Sequence, residues 1–171
     1  MHEEVHVSMS PVPFPAPIGQ VGMVVRDLDA SMEGFWRNAG IGPWKVYVNG
    51  APPIRCLYRG RPADYRVRVA LARSGSLVIE LIQYLSGDTI HRDFLDSGRE
   101  GVEHLGIFVP DLDAALQPYL ESGVAVLQSA EGMGARGDGR YAYLDTESTF
   151  GTILELIQES SERLPPEKVY P

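Results

Sequence analysis

Four side chains able to bind a metal ion stand at equivalent positions of two related segments. Gln20 and His104 begin one shared motif, and Glu80 and Glu155 lie within another. Each glutamate is embedded in an otherwise apolar, strand-like run, where an unpaired buried charge would cost several kcal/mol. A divalent cation between the carboxylates would satisfy both, and the amide oxygen and imidazole nitrogen could complete its coordination. The sequence therefore predicts one divalent-metal site formed by these four residues.

The two motifs recur in the same order, which indicates an internal repeat. Residues 20–30 (QVGMVVRDLDA) align without gaps on residues 104–114 (HLGIFVPDLDA), and residues 76–83 (SLVIELIQ) align on residues 151–158 (GTILELIQ). The candidate ligands lie 60 positions apart in the first half and 51 in the second, a difference of nine. We place the extra residues in Gly50–Arg61, whose glycines and prolines predict a loop.

Each half has the pattern of a βαβββ module. A strand rich in Val and Ile is followed by a helix whose start is capped by Asp-Leu-Asp-Ala. The first helix places Met32, Phe35 and Trp36 on one face and ends at Gly40. A further helix over residues 89–97 links the halves. The remaining strands are predicted near residues 44–48, 65–71 and 76–84, and near residues 124–128, 140–144 and 152–158.

A four-stranded sheet covered by one helix leaves its second face apolar, so two modules side by side can curl around a shared interior. We therefore predict an α+β fold of two tandem βαβββ modules that form a curved sheet around a shared cavity.

The tails are rich in Pro and Glu and are expected to be poorly ordered. The predicted organisation is a disordered N-terminal tail at 1–17, a first module at 18–86, a linker helix segment at 87–101, a second module at 102–160 and a C-terminal tail at 161–171.

Two glycines accompany the candidate ligands. Gly22 and Gly106 follow Gln20 and His104 by two positions, and side chains two apart on a strand share a face. We expect these glycines to keep space open above the metal. Two simpler interpretations of the ligands remain open. A histidine at a strand start can be an ordinary hydrogen-bonded residue, and a glutamate on an edge strand can point to solvent.

Three other features carry expectations about packing. Trp44, together with Phe35 and Trp36, is predicted to pack in the core or, alternatively, to line the cavity, and His91 is predicted to be exposed on the linker helix. The glycine-rich segment 132–139 matches a dinucleotide-binding pattern by letter only, because a strand-like run rather than a helix follows it. We predict that it is a mobile loop over the cavity.

The composition restricts the partners. A net charge of −8 argues against nucleic-acid binding, and no apolar run approaches the roughly 18 residues of a membrane helix. Residues 1–17 lack a basic stretch followed by an apolar segment, so we expect no secretory signal. The single cysteine, Cys56, can form neither an intramolecular disulfide nor a Cys-based zinc motif. We expect a cytoplasmic protein with a small-molecule substrate and neither a nucleic acid nor a membrane as partner.

Six arginines are concentrated in one stretch of the first half and are opposed there only by Asp64. They could bind the phosphates or carboxylate of an anionic substrate. Alternatively, they are solvated side chains of a strand face that discourage edge pairing. The six are Arg55, Arg59, Arg61, Arg66, Arg68 and Arg73.

The paired glycine-containing strands, each followed by Asp-Leu-Asp-Ala, and the two Glu-Leu-Ile strands resemble the vicinal-oxygen-chelate superfamily of glyoxalases, bleomycin-resistance proteins and extradiol dioxygenases. The resemblance covers residues 18–158. It implies paired modules around a metal cavity, a homodimer, and one ion of zinc, cobalt, nickel, manganese or magnesium. The ligands that it implies are Gln20, Glu80, His104 and Glu155.

Two branches of the superfamily are similar to this sequence. The Gln/Glu/His/Glu combination resembles glyoxalase I, whereas residues 86–95 (SGDTIHRDFL), residues 101–107 (GVEHLGI) and the 132–139 loop resemble methylmalonyl-CoA epimerases, which usually have His in place of Gln20. The resemblance implies a metal-dependent isomerase or epimerase that removes a proton α to the carbonyl of an acyl-CoA or another anionic carbonyl compound. The alternatives are a glyoxalase I-like lyase and a non-catalytic small-molecule-binding protein.

The resemblance also implies catalytic roles. Glu155 is the implied base, and the acid/base group on the opposite face of the substrate carbon is either Glu80 or Asp64. Asp64 lies near the position of an epimerase acid/base glutamate; otherwise it is a turn residue. Extradiol dioxygenases use two histidines and one carboxylate on iron, so Gln20 argues against that chemistry.

Overall fold

A computed structural model describes residues 17–48 and 55–171. The predicted N-terminal tail therefore lies outside the described residues, apart from Pro17. The elements are, in chain order, β1 (Ile18–Val24), α1 (Leu28–Ala39), β2 (Trp44–Val48), β3 (Arg55–Tyr58), β4 (Arg61–Ala63), β5 (Tyr65–Ser74), β6 (Leu77–Gly87), α2 (Ile90–Asp96), β7 (Gly101–Phe108), α3 (Leu112–Glu121), β8 (Val126–Met133), β9 (Gly139–Leu144), α4 (Glu147–Phe150), β10 (Ile153–Gln158) and β11 (Lys168–Tyr170).

The described strands form one sheet in the order β11-β2-β5-β6-β1-β7-β10-β9-β8-β3-β4. The first strand of each module lies parallel to the last, β1 beside β6 and β7 beside β10. At the centre β1 and β7 pair antiparallel and join the modules. The sheet is strongly curled and encloses a cavity. The predicted α+β fold of two tandem βαβββ modules is thus confirmed.

The two long helices begin in the same way at equivalent positions of the repeat. Asp27 accepts a hydrogen bond from the backbone N–H of Ala30, and Asp111 accepts one from that of Ala114. These caps satisfy backbone donors that the first helical turn leaves free. Each helix buries one face against its own module, α1 through Leu28 and Met32 and α3 through Leu112. A separate cluster, which includes Tyr65, Val67, Ile82, Tyr141 and Tyr143, fills the inner side together with Phe94 of α2.

The prediction that Gly50–Arg61 is a loop is wrong for residues 55–61, the part of it that the structure describes. Residues 49–54 lie outside the described residues, but β3 and β4 form a hairpin that turns at Arg59 and Gly60, both with positive φ. Within β3, Cys56 is buried while its neighbours Arg55 and Leu57 are exposed, the alternation of a strand on a sheet. Because β3 pairs with β8, the extra residues of the first half extend the sheet of the second.

The expectation that the C-terminal tail is poorly ordered is wrong. Residues 168–170 form β11, which pairs antiparallel with β2 and brings Tyr170 opposite Trp44. The backbone N–H of Glu167 also donates to the carbonyl of Val46. This pairing satisfies backbone groups of β2 that would otherwise form an open sheet edge.

The chain that follows β10, here called the C-terminal segment, also forms hydrogen bonds with the glycine-rich segment 132–139. The backbone N–H of Ala135 donates to the carbonyl of Glu162, and the hydroxyl of Ser160 donates to Asp138 at 2.5 Å. Met133, Gly134 and residues of the C-terminal segment line the cavity, as expected for a loop over it. These contacts anchor the loop, in contrast to the predicted mobility. Among the described residues, no helix is long and apolar enough to cross a membrane.

The two tryptophans give a matched test of the packing. Trp44 is fully buried, as predicted, whereas the prediction that Trp36 also packs in the core is wrong, because Trp36 is 42% exposed on α1. Replacing Trp44 by Ala should lower the free energy of unfolding by about 3–5 kcal/mol, because it leaves a large cavity beneath the helix. The Trp36→Ala control should cost about 1 kcal/mol or less. Denaturant unfolding measures both, and equal losses would contradict the assigned core.

Candidate metal centre

The strand register brings the four predicted ligands to one place. Residues that pair across neighbouring strands point to the same face of a sheet, so each central glycine faces two candidate ligands. All four side chains therefore emerge on the inner face of the curled sheet. The facing pairs are Gly22 with Glu80 and with His104, and Gly106 with Gln20 and with Glu155.

The side chains are in contact. The Nε2 atom of His104 lies 3.2 Å from Oε2 of Glu80 and 3.2 Å from Oε2 of Glu155. The Gln20 amide donates to the same two oxygens, at 2.9 Å and 3.2 Å. Ligand atoms of the two glutamates and the histidine all lie within 4.8 Å of one another. Glu80 is half-buried and the other three are buried.

The glycines have a different role from the one predicted. A Cβ atom on Gly22 would lie 1.9 Å from both Nε2 and Cε1 of His104, far closer than van der Waals contact allows. A Cβ atom on Gly106 would lie 2.8 Å from Cβ of Gln20 and 2.9 Å from Cδ1 of Ile157. The missing side chains therefore do not leave an open space above the site. They make room for the candidate ligand on the neighbouring strand.

The site concentrates negative charge around one imidazole. Burial alone would favour neutral His104, but the charge of Glu155 and the hydrogen bond to Glu103 hold the pKa of His104 well above its usual range. Burial raises the pKa of Glu155, although His104 opposes that shift. The carboxylates around His104 therefore favour a positive charge at this position, between Glu80 and Glu155.

The donor set fits a divalent cation. Within the described part of the chain, Nε2 of His104 is a buried nitrogen without a properly directed hydrogen bond, and such atoms are rare in proteins. One imidazole nitrogen, two carboxylates and an amide oxygen form a mixed N/O set that borderline and hard divalent ions accept. Gln20 would offer Oε1, so its amide must turn over from the orientation that donates to the carboxylates.

A cavity of about 250 Å³ opens beside the cluster. Gln20, Glu80 and Glu155 form part of its wall, whereas His104 has no exposed surface. A small polar group within an apolar pocket is the usual arrangement of a small-molecule site. The apolar wall includes Tyr47, Val67, Val69, Leu71, Phe108 and Ile157.

The structure does not bring the other predicted residues to the cavity. Asp64 is exposed and is absent from the cavity wall, and none of the six clustered arginines contributes to that wall. Arg66 and Arg68 alternate along β5 with Val67 and Val69, which face the cavity, so the arginines occupy the outer face. Three arginines of the cluster form exposed or partly exposed ion pairs, Arg55 with Glu131, Arg59 with Asp93 and Arg68 with Asp29.

Sequence reasoning missed two buried residues behind the cluster. His91, predicted to be exposed, is only 3% exposed, and its Nδ1 lies 2.7 Å from Oε2 of Glu103. The same oxygen lies 3.2 Å from Nδ1 of His104. Although burial alone would raise the pKa of Glu103, the two histidines lower it to about 2. The sequence did offer one signal of this site: Glu103 is a charged residue directly before His104 in a strand-like run.

A β-bulge explains the position of Glu103. In the pairing of β1 with β7, Gly22 faces His104 and the next residue, Met23, faces Val102. No residue of β1 therefore lies opposite Glu103. Consecutive strand residues normally point to opposite faces, but a bulge turns the extra residue. Glu103 and His104 can therefore contact each other.

Known proteins share this fold and this sequence pattern. Residues 19–143 match the sequence profile of the Glyoxalase/Bleomycin resistance protein/Dioxygenase superfamily. The chain therefore belongs to this superfamily. The uncharacterized protein YqjC of Bacillus subtilis is 25% identical over 107 residues, which are 63% of this chain and 76% of YqjC.

Solved structures extend the similarity to most of the chain. Methylmalonyl-CoA epimerase from Mycobacterium tuberculosis has a TM-score of 0.62 and 23% identity, with 83% of this chain and 87% of the epimerase covered. A single-residue variant of the Streptomyces coelicolor epimerase, in complex with 2-nitronate-propionyl-CoA, has a TM-score of 0.65 and 23% identity, with coverage of 88% and 99%. A hypothetical protein from Bacillus halodurans has a TM-score of 0.63 and 20% identity, with coverage of 88% and 99%. At these identities the likeness establishes the fold alone.

The claim that Gly22 makes room for the His104 ring can be tested directly. A Gly22→Ala change forces the His104 ring out of its position, so we expect a loss of about 1–3 kcal/mol in unfolding free energy and at least about tenfold weaker Zn²⁺ binding. Gly34→Ala is the matched control, because a Cβ atom there meets nothing within 4 Å. It lies inside α1 and should raise stability by up to about 1 kcal/mol. Calorimetric Zn²⁺ titration that found wild-type affinity in Gly22→Ala would contradict the assigned geometry.

Proposed function

We propose that this member of the superfamily is a divalent-metal-dependent isomerase that moves a proton on the carbon next to a carbonyl group, in the manner of an epimerase. The observation that carries the proposal is the buried cluster of Glu80, His104 and Glu155, whose ligand atoms lie within 4.8 Å of one another beside an apolar cavity. The fold shared with methylmalonyl-CoA epimerases supports it, and one of their structures contains methylmalonyl-CoA.

Gln20, Glu80, His104 and Glu155 would hold the ion, which we propose to be zinc, cobalt, nickel, manganese or magnesium. A bound ion of this kind polarises the substrate carbonyl and so stabilises the negative charge that develops when the neighbouring carbon loses its proton. A substrate that fills the cavity would displace water from its apolar wall, and this would strengthen the electrostatic interactions inside.

Glu155 is the proposed base. Its burial raises its pKa, so its carboxylate accepts a proton more readily than an exposed glutamate does. Glu155 takes the α proton, and the electron pair of the broken C–H bond moves towards the carbonyl oxygen. Epimerisation then requires a proton to return to the opposite face of the same carbon. We assign this step to Glu80, which also lines the cavity, and not to Asp64, which is exposed. Glu80 must carry the proton that it delivers and is left ionised, whereas Glu155 is left protonated; exchange of protons with water restores both groups.

The proposed substrate is an acyl-CoA or another anionic carbonyl compound. The arginines that line the cavity are Arg140 and Arg163, and they replace the Arg55–Arg73 cluster as candidates for contacts with substrate anions. Arg140 already contacts Asp113 and Glu131, and Arg163 contacts Glu159. A substrate anion would therefore compete with these carboxylates. A homodimer remains a prediction from the superfamily.

The proposal can be tested on protein purified without chelator. We expect one divalent ion per chain, and solvent deuterium should enter the α position of a 2-methylmalonyl thioester. Removal of the ion with a chelator should abolish this exchange. Because Glu155 is also a proposed ligand, the Glu155→Gln variant is assayed at a metal concentration shown to load its site, and it should then lose at least about 100-fold in exchange rate, the usual contribution of a general base.

The Asp64→Asn variant is the control for the acid/base assignment and should exchange at the wild-type rate. A chain that binds no divalent ion would rule out the metal-dependent isomerase and favour a non-catalytic small-molecule-binding protein. If metal is present and exchange occurs only with a glutathione hemithioacetal, the glyoxalase I-like lyase would replace the epimerase.

A further inference from the structure

Two buried polar side chains beside the metal cluster have no part in the proposed proton transfer, and one of them, His91, also reaches the cavity wall. Glu103 and His91 are 2% and 3% exposed. Oε2 of Glu103 lies 2.7 Å from Nδ1 of His91 and 3.2 Å from Nδ1 of His104. Burying a carboxylate and two imidazoles is costly unless each is paired. The arrangement therefore requires an explanation beyond core packing.

We propose that Glu103, held in place by His91, is a positioning residue that fixes the tautomer and ring orientation of His104 for metal binding. The inference rests on the proposed function, because it assumes that His104 is a metal ligand. It adds two residues outside the ligand set and assigns a role to the linker helix.

The tautomer follows from what each group can donate. Oε2 of Glu103 lies within hydrogen-bond distance of Nδ1 of both rings, and this oxygen can accept from both, so each imidazole is placed to donate through Nδ1. When the Nδ1 atom of His104 carries the proton, its Nε2 atom presents a lone pair, and that atom lies 3.2 Å from both Glu80 and Glu155. A metal-binding histidine commonly donates its other ring N–H to a carboxylate in this way, which fixes the ring and strengthens the ligand.

The linker helix fixes the position of His91. Its start is capped by Thr89, whose hydroxyl accepts from the backbone N–H of His91, while Gln128 accepts from the backbone N–H of Ile90. The His91 ring also lies edge-on to Tyr143 at 5.6 Å, and Tyr143 contacts the His104 ring at 5.0 Å. The helix that connects the modules thus reaches the metal ligand through Glu103.

The test is calorimetric titration of the metal-free full chain with Zn²⁺. Glu103→Gln keeps the shape but removes the charge, and Glu103→Leu removes both acceptor oxygens. We expect each to bind Zn²⁺ about 10–100-fold more weakly than wild type. His91→Phe keeps an aromatic ring against Tyr143 without the donor, and we expect a smaller loss. Met32→Ala is the control for a general loss of stability: Met32 is buried in the core cluster beneath α1, which contains no candidate ligand, so this variant should leave Zn²⁺ affinity unchanged.

A second measurement separates positioning from a merely structural role. In the Zn²⁺-loaded wild type, ¹⁵N spectra of the histidine rings should show His104 protonated at Nδ1 and coordinated through Nε2, and Glu103→Leu should lose the hydrogen-bonded Nδ1 proton. If both Glu103 variants unfold more easily yet bind Zn²⁺ within about twofold of wild type, the inference is overturned while the proposed function stands. A wild-type chain that binds none of Zn²⁺, Co²⁺, Ni²⁺, Mn²⁺ and Mg²⁺ would overturn both.

Discussion

The space above two glycines on the central strand pair is the constraint on which the site depends. Gly22 belongs to the first module, but the ring that occupies the space over it is His104 of the second. Gly106 belongs to the second module and accommodates Gln20 of the first. Each module therefore makes room for a candidate ligand of the other, so the cluster exists only where β1 and β7 pair. Duplication of one module explains why each module provides space for a candidate ligand of the other.

The second constraint is electrostatic. Glu80, Glu103 and Glu155 place three carboxylates around the His104 ring, and Glu103 and Glu155 are almost fully buried. So much buried negative charge requires compensation. A positive charge at His104 would supply part of it, and a divalent cation would supply more. Stability and metal binding are thus coupled through the same few side chains.

The repeat allowed the fold and the meeting of the four ligand positions to be predicted, because alternation along strands and equivalence between modules determine which side chains share a face. The repeat did not predict features that depend on a local irregularity of a strand or on pairing between strands distant in the sequence. The bulge at Glu103 reverses the expected alternation, and β11 pairs with a strand more than a hundred residues earlier in the chain. Asp64 was placed by analogy alone, and the structure leaves it outside the cavity wall.

The proposed metal centre requires that the buried cluster holds one divalent ion. Anomalous diffraction from crystals grown with Zn²⁺ or Co²⁺ would locate that ion. We expect a single strong peak about 2.0–2.2 Å from Nε2 of His104 and from oxygens of Glu80 and Glu155. Saturating metal with no peak among these side chains, or with peaks only at surface carboxylates, would contradict it.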